Sequence, residues 1–346
     1  MAWLLERLGE AAALGAATCW AISSIAFTAA GRRIGPTLVN LARMILAVLV
    51  FIVVHRLIFG VWIPEAAAPA FIILAISGII GLAVGDQFLF ASFVDVGPRL
   101  STLLMTLAPP VTALLAWPVL DEPLTWLAIL GIAVTMAGIA WVAIERPQGR
   151  HAPPIDDNGR RVRGLIFGAL AGICQAVALV LAKLGMGHAL PGEAERLDPW
   201  SVTMIRMVFG AIGIAVMTPI IHRTVTRRAQ RKHKAEESTS GRDPSRASSP
   251  PPRLPLRRFV ADRSVAGSTL FMLLLGTAAG PVIGVWLSMT AIDRTEAGIA
   301  ATLMAMTPVV ILPLAIFIER ERVSSRAAIG AVIAVLGVAI LMNTNA

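Results

Sequence analysis

Apolar residues run along this chain in long stretches, separated by short clusters of charge, proline and glycine. The stretches fall at about 11–30, 37–54, 69–93, 100–119, 125–144, 164–187, 200–221, 267–290, 297–318 and 326–343. A bilayer's hydrocarbon core is about 30 Å thick, and about 20 apolar residues cross it as a helix. A helix also satisfies its own backbone hydrogen bonds where there is no water to do so. The pattern therefore predicts an all-α integral membrane protein with ten transmembrane helices. Arg7 has acidic neighbours and the first apolar run continues to about Ala30, so the start of the chain reads as the first span rather than a cleavable leader. Two segments break the pattern. Residues 147–162 are polar with Pro and Gly and read as a linker between halves. Residues 223–263 are rich in Arg, Ser and Pro, a composition that cannot bury enough apolar surface to fold alone, and read as a disordered basic loop.

The chain repeats itself. Residues 101–144 align with 300–343 at a constant offset. Leu104, Met105, Pro109, Glu122, Gly131 and Gly138 then meet Leu303, Met304, Pro308, Glu321, Gly330 and Gly337. The same offset carries Gly81 and Gly85 onto Gly280 and Gly284. Upstream, after a change in loop length, Cys19 meets Cys174 and Arg43 meets Arg206. Each half has five spans. Five is odd, so the second half enters the membrane from the opposite side, and the halves should be inverted relative to each other. Such inverted repeats are common among secondary transporters, with the site near the midplane.

The repeated stretches read LAPPVTALLAWPVLDEPLTWLAILGIAVTMAG and MTPVVILPLAIFIERERVSSRAAIGAVIAVLG. They resemble the EamA repeat of the drug/metabolite transporter superfamily, over nearly the whole chain outside the linker and the basic loop. The resemblance implies two inverted five-helix bundles, residues 1–146 and 163–345, around a central cavity. It also implies alternating access and export or uptake of small metabolites. A long basic loop departs from the short connection such a repeat would have.

Composition sharpens the class. Hydrophobic residues are 56%, charged residues 15%, and the mean hydropathy is +0.76. A soluble domain carries about 25% charged residues, so an ordinary soluble enzyme and a disulfide scaffold are excluded. The net charge of +9 sits in loops, with twelve of the thirty Lys and Arg between Arg223 and Arg263. Loop clustering of this kind sets topology and does not call for nucleic acid. The loops joining odd to even helices hold twenty-three Lys and Arg, and the termini with the other loops hold five. The positive-inside rule then makes the basic loop cytoplasmic and both termini extracytoplasmic in a multi-pass cell-membrane protein, although similar transporters often have cytoplasmic termini.

Charged groups within a span are costly and are functional candidates by default. Arg43 and Arg206 lie about two turns into the second and seventh spans. Each either snorkels or pairs for structure, or lines a cavity and binds an anionic group. Asp86, in GLAVGDQF, is the only carboxylate well inside a span, at a depth similar to that of Arg43. It meets Val285 across the repeat, so it departs from the symmetry. It reads as the partner of Arg43, as a proton-coupling or substrate-cation group, or as both. Trp20, Ser23 and Ser24 in the first span, Gln87, Gln175 and Trp286 are candidate cavity-lining groups, with helix–helix hydrogen bonding as the alternative. Met105, Met304 and Thr307 accompany Pro109 and Pro308, which should kink their helices and are candidate hinges. The glycine pairs read as close helix packing. No phosphate-binding loop, zinc-protease motif, metal cluster or cofactor motif is present.

These features predict a secondary transporter, with proton-coupled export as one mode, and no enzyme. Its partners would be a small-molecule substrate and the lipid bilayer, as a monomer or homodimer. A flippase for lipid or lipid-linked substrates, and a membrane scaffold recruiting a partner through the basic loop, are the competing readings.

Overall fold

The structure, a computed structural model, describes residues 7–34, 36–96, 101, 104–144, 158–188, 196–239, 263–307, 309–310 and 325–342. Among them the regular elements are all helical. The first half holds α1 (Leu8–Ile34), α2 (Pro36–Phe59), α3 in three parts (Ala68–Gly78, Ile79–Gly85, Asp86–Val96), α4 (Ala108–Leu120) and α5 (Trp126–Ile144). The second holds α6 (Asn158–Gly185), α7 (Pro199–Thr239), α8 in three parts (Arg263–Thr277, Ala278–Gly284, Val285–Arg294), α9 (Ala297–Met304) and α10 (Ser325–Met342). Among the described residues, 6 helices are long and apolar enough to cross a membrane, within α1, α2, α3, α6, α7 and α8. Shorter apolar helices lie in α4, α5 and α10.

Many large apolar side chains face outward, and many small ones face inward. Leu49, Val53 and Leu57 along α2, and Val332, Val335 and Leu336 along α10, are exposed, Leu57 at 78%. The interior is rich in alanine, with Ala13, Ala16, Ala17, Ala21, Ala176, Ala178 and Ala182 buried. In lipid there is no hydrophobic gain in burying leucine between helices, so close backbone approach through small residues supplies the packing.

The contacts cross between the halves. α1 packs on α8 and α9, while α6 packs on α3 and α4. α2 meets α7, α4 meets α9, and α5 pairs with α10. Exchanging the halves maps this set of contacts onto itself. Where α5 and α10 meet, the repeat-matched glycines are the contact. A Cβ on Gly138 would stand 2.3 Å from the Ala334 nitrogen, and one on Gly337 would stand 2.4 Å from the Thr135 nitrogen.

Both three-part helices carry a π-helical middle, Ile79–Gly85 and Ala278–Gly284, ending at repeat-matched positions. A π turn inserts one extra residue and often marks a functional site. Each insert is pressed against the first helix of the other half. A Cβ on Gly81 would meet that of Ala178 at 2.7 Å, and one on Gly280 would meet Ser23 Oγ at 2.8 Å.

Two expectations about the polar segments are corrected. Helix α6 begins at Asn158, inside the stretch 147–162 expected to be linker. Helix α7 runs on to Thr239, well into the stretch 223–263 expected to be disordered. Arg, Lys, Gln, Ala and Glu are good helix formers, so the change to polar residues ends the apolar span without ending the helix. The remainder, 240–262, lies outside the described residues.

Candidate functional site

A cavity of about 260 Å³ lies between the halves. The first half contributes Trp20 and Ser23 from α1, Arg43 from α2, Asp86 from α3, Met105 just before α4, and Pro109 at its start. The second half contributes Gln175 from α6, Met304 from α9, and Thr307 just beyond it. With Ser24, which also lines it, ten of the fourteen residues singled out from the sequence lie on one cavity. A larger depression of about 620 Å³, beside His55, Glu65, Arg196 and Asp198, contains none of them.

Arg43 and Asp86 form an ion pair through Nη2 and Oδ2. Arg43 Nε donates to Asn40 Oδ1 at 2.9 Å. The guanidinium also lies over two rings, 5.6 Å from the centroid of Phe27 and 5.3 Å from that of Phe90. Cation–π contacts of this kind strengthen when they are desolvated. Arg43 is therefore engaged by a carboxylate, an amide oxygen and two aromatic rings.

Its repeat counterpart differs. Arg206 is 1% exposed and does not line the cavity. Its Nη1 donates to the Met289 sulfur at 2.7 Å, and its Nε has no hydrogen-bond partner among the described residues. Gln87 and Trp286 also lie off the cavity wall. Trp286 packs edge-on against Trp200 at 5.8 Å, and Trp200 packs on Phe51 at 4.5 Å, which makes an aromatic layer between α2, α7 and α8. The π turns immediately before Gln87 and Trp286 shift the helical phase, which the sequence pattern does not display. Pro308 lies outside the described residues.

The breaks before the matched prolines are similar. Leu107 N donates to Leu104 O at 3.1 Å, and Met306 N donates to Leu303 O at 3.1 Å, both short turns that interrupt the helical ladder. A proline at 308 has no N–H for the Met304 carbonyl. The Thr307 hydroxyl donates to that carbonyl instead, at 3.0 Å, and reaches Ala17 O at 3.4 Å.

Sequence reasoning counted Lys183 only as a loop charge. It is 6% exposed, at the end of α6 away from the basic loops. Its Nζ bonds Glu122 Oε1 at 2.5 Å and donates to Thr295 O at 2.6 Å. The other Glu122 oxygen accepts from Ala297 N at 2.7 Å, at the start of α9. Burial and the neighbouring Glu122 push the Glu296 carboxyl above its ordinary value, with Lys183 acting the other way. The signal available in the sequence was a lysine at the end of an apolar run with a repeat-matched glutamate elsewhere, which does not identify them as partners.

A family model described as the EamA-like transporter family matches residues 7–144 and 247–343. No curated relative matches the chain. One solved protein crystal structure is similar over 97% of this chain and 96% of its own, with a TM-score of 0.68 and 16% identity, a likeness of fold.

Proposed function

The chain belongs to the EamA-like transporter family, and from that premise we propose that it exports a small organic metabolite or drug-like solute by alternating access, coupled to protons. It is a multi-pass membrane transporter of the drug/metabolite type. Ten spanning helices, as two inverted repeats, 1–146 and 163–345, would rock about the cavity between them. Support comes from the half-exchanging contacts and the matched π segments.

The observation that carries the proposal is the cavity itself. It holds an ion pair, Gln175, Ser23 and Trp20 at membrane depth. Polar groups at that depth are expensive and belong where a pathway uses them. A volume of about 260 Å³ lies near the small end of ligand sites, which favours a compact solute over a lipid. The first-half lining residues Ser23, Phe27, Arg43, Asp86, Phe90 and Met105 lie toward the basic ends of their helices. With the basic side cytoplasmic, the cavity would face the cytoplasm and load there. Asp86 is the carboxylate we assign to proton exchange, and Pro109 and Pro308 are the assigned hinges.

The test is ligand-induced thermal stabilisation of the purified protein across a panel of metabolites and lipids, at two pH values. A ligand that binds the native state raises the melting temperature by mass action. A soluble metabolite should stabilise the wild type. Trp20→Ala should abolish that shift, and Asp86→Asn should remove its pH dependence. Stabilisation by lipids alone would replace this reading with the flippase. A shift untouched by either substitution would move the site out of the cavity.

A further inference from the structure

We infer that Arg206 is the anion-binding group of this cavity, and that the solute is a small organic anion carrying one carboxylate-like charge on an apolar body. This rests on the reading of the cavity as the transport site.

The charges around the cavity do not balance. Two guanidiniums, Arg43 and Arg206, accompany one carboxylate, Asp86. Asp86 is bonded to Arg43, whose Nε is held by Asn40 and whose guanidinium lies over two rings. Arg206 has no ion pair among the described residues, a thioether on Nη1 and no partner on Nε. A thioether is a weak acceptor. Asp86 acts on Arg206 through space but is bonded to Arg43, and a buried charge without a bonded counter-charge is costly. Packing gives no reason for that cost. Helix α7 meets α3 through its backbone, since a Cβ on Gly78 would stand 2.3 Å from the Arg206 carbonyl oxygen. An apolar side chain at 206 would keep that contact.

The guanidinium also lies close behind the cavity wall. A Cβ on Gly81 would stand 3.5 Å from Arg206 Nη2 and 3.8 Å from Gln175 Oε1, and Gln175 lines the cavity. Gly81 packs against Ala178, and the guanidinium and the Gln175 amide oxygen flank that contact. An anion entering beside Gln175 would meet a guanidinium already desolvated and paid for by the fold, with Trp20 on the same cavity wall for its apolar part. Charge-assisted hydrogen bonds of this kind are the strong ones.

Benzoate, benzyl alcohol and benzylamine probe the assignment, because they share one ring and differ in charge. Thermal shift of the purified full chain is the readout. Benzoate should raise the melting temperature, and the alcohol and the amine should do so far less. Arg206→Met should weaken benzoate about 10-fold or more, the loss expected of a hydrogen bond to a charged group, and Arg206→Lys should restore part of it. No response to benzoate, an equal or larger response to benzylamine or benzyl alcohol, or unchanged benzoate affinity in Arg206→Met would each overturn the assignment. Should Arg206→Met fail to fold, the order of the three probes on the wild type decides alone. Trp20→Ala separates the two levels of failure. If benzylamine binds best and Trp20→Ala weakens it, the cavity stands and the anion assignment falls. If benzoate binding ignores both Trp20→Ala and Arg206→Met, both readings fall.

Discussion

Arg43 and Asp86 behave as one unit, with Asn40 accepting from Arg43 Nε and the guanidinium carbon lying over the Phe27 and Phe90 rings. The pair is partly exposed, 12% and 20% at its two side chains. Removing one partner therefore leaves an uncompensated charge but costs less than the about 3–5 kcal/mol of a fully buried pair, and removing both costs less still. Arg43→Ala should therefore lower the melting temperature more than the double change Arg43→Ala with Asp86→Ala, and a double-mutant cycle read by thermal unfolding measures the coupling. Equal and additive losses would show that the two groups stand independently. At this scale the sequence was only partly legible. It treated Arg43 and Arg206 as equivalents, because the repeat aligns them. Their environments diverge because Asp86 has no counterpart: Val285 stands at the matching position. Gln87 and Trp286 sat in polar or aromatic company in the sequence, yet both lie off the cavity wall, Trp286 in an aromatic layer. Side-chain direction depends on helical phase, and the phase shifts within a π turn.

Glycine spacing carries more information than side-chain identity at the scale of helices. The repeat-matched glycines were readable as close-packing positions, and the α5–α10 contact uses them at backbone distance. Gly337→Ala would drive a methyl into the Thr135 backbone at 2.4 Å. Overpacking of this kind costs about 1–3 kcal/mol, so the variant should melt earlier. Gly267→Ala, with nothing within 4 Å of its Cβ position, should instead be neutral or gain about 0.5–1 kcal/mol from lower backbone entropy in the unfolded chain. Thermal unfolding of both variants checks the contrast, and similar losses in both would remove the packing account. The π segments were not legible. Hydrophobic periodicity over seven residues cannot separate a π turn from an α turn when almost every side chain there is apolar. The end of α7 was misread for the opposite reason: polarity marks where a span leaves the membrane, and helix propensity decides where the helix stops.

Across the whole molecule, the cavity lies toward one end of the helices and a charge cluster ties helix ends together at the other. Lys183 joins α6 to the α4–α5 turn through Glu122 and to the α8–α9 turn through Thr295. Glu122 holds the start of α9 as well. Glu296 sits beside this cluster, facing Glu122 and Lys183, with its carboxyl raised above the ordinary value of 4.5. The folded protein then binds that proton more tightly than the unfolded chain does. The stabilisation it brings is fully present below about 4.5 and is lost as the pH rises through the raised folded value. Glu296→Gln keeps the uncharged form at every pH. It should match the wild type in acid and melt higher than the wild type at neutral pH, with the gap opening across the carboxylate range. Lys183→Met should do the reverse. It leaves Glu122 and Glu296 facing each other without a cation, so its melting temperature should fall further at neutral pH than in acid. Parallel melting curves for the wild type and Glu296→Gln at all pH values would show that the cluster does not sense this proton. Together the two variants report whether the far end of the bundle is held by charge.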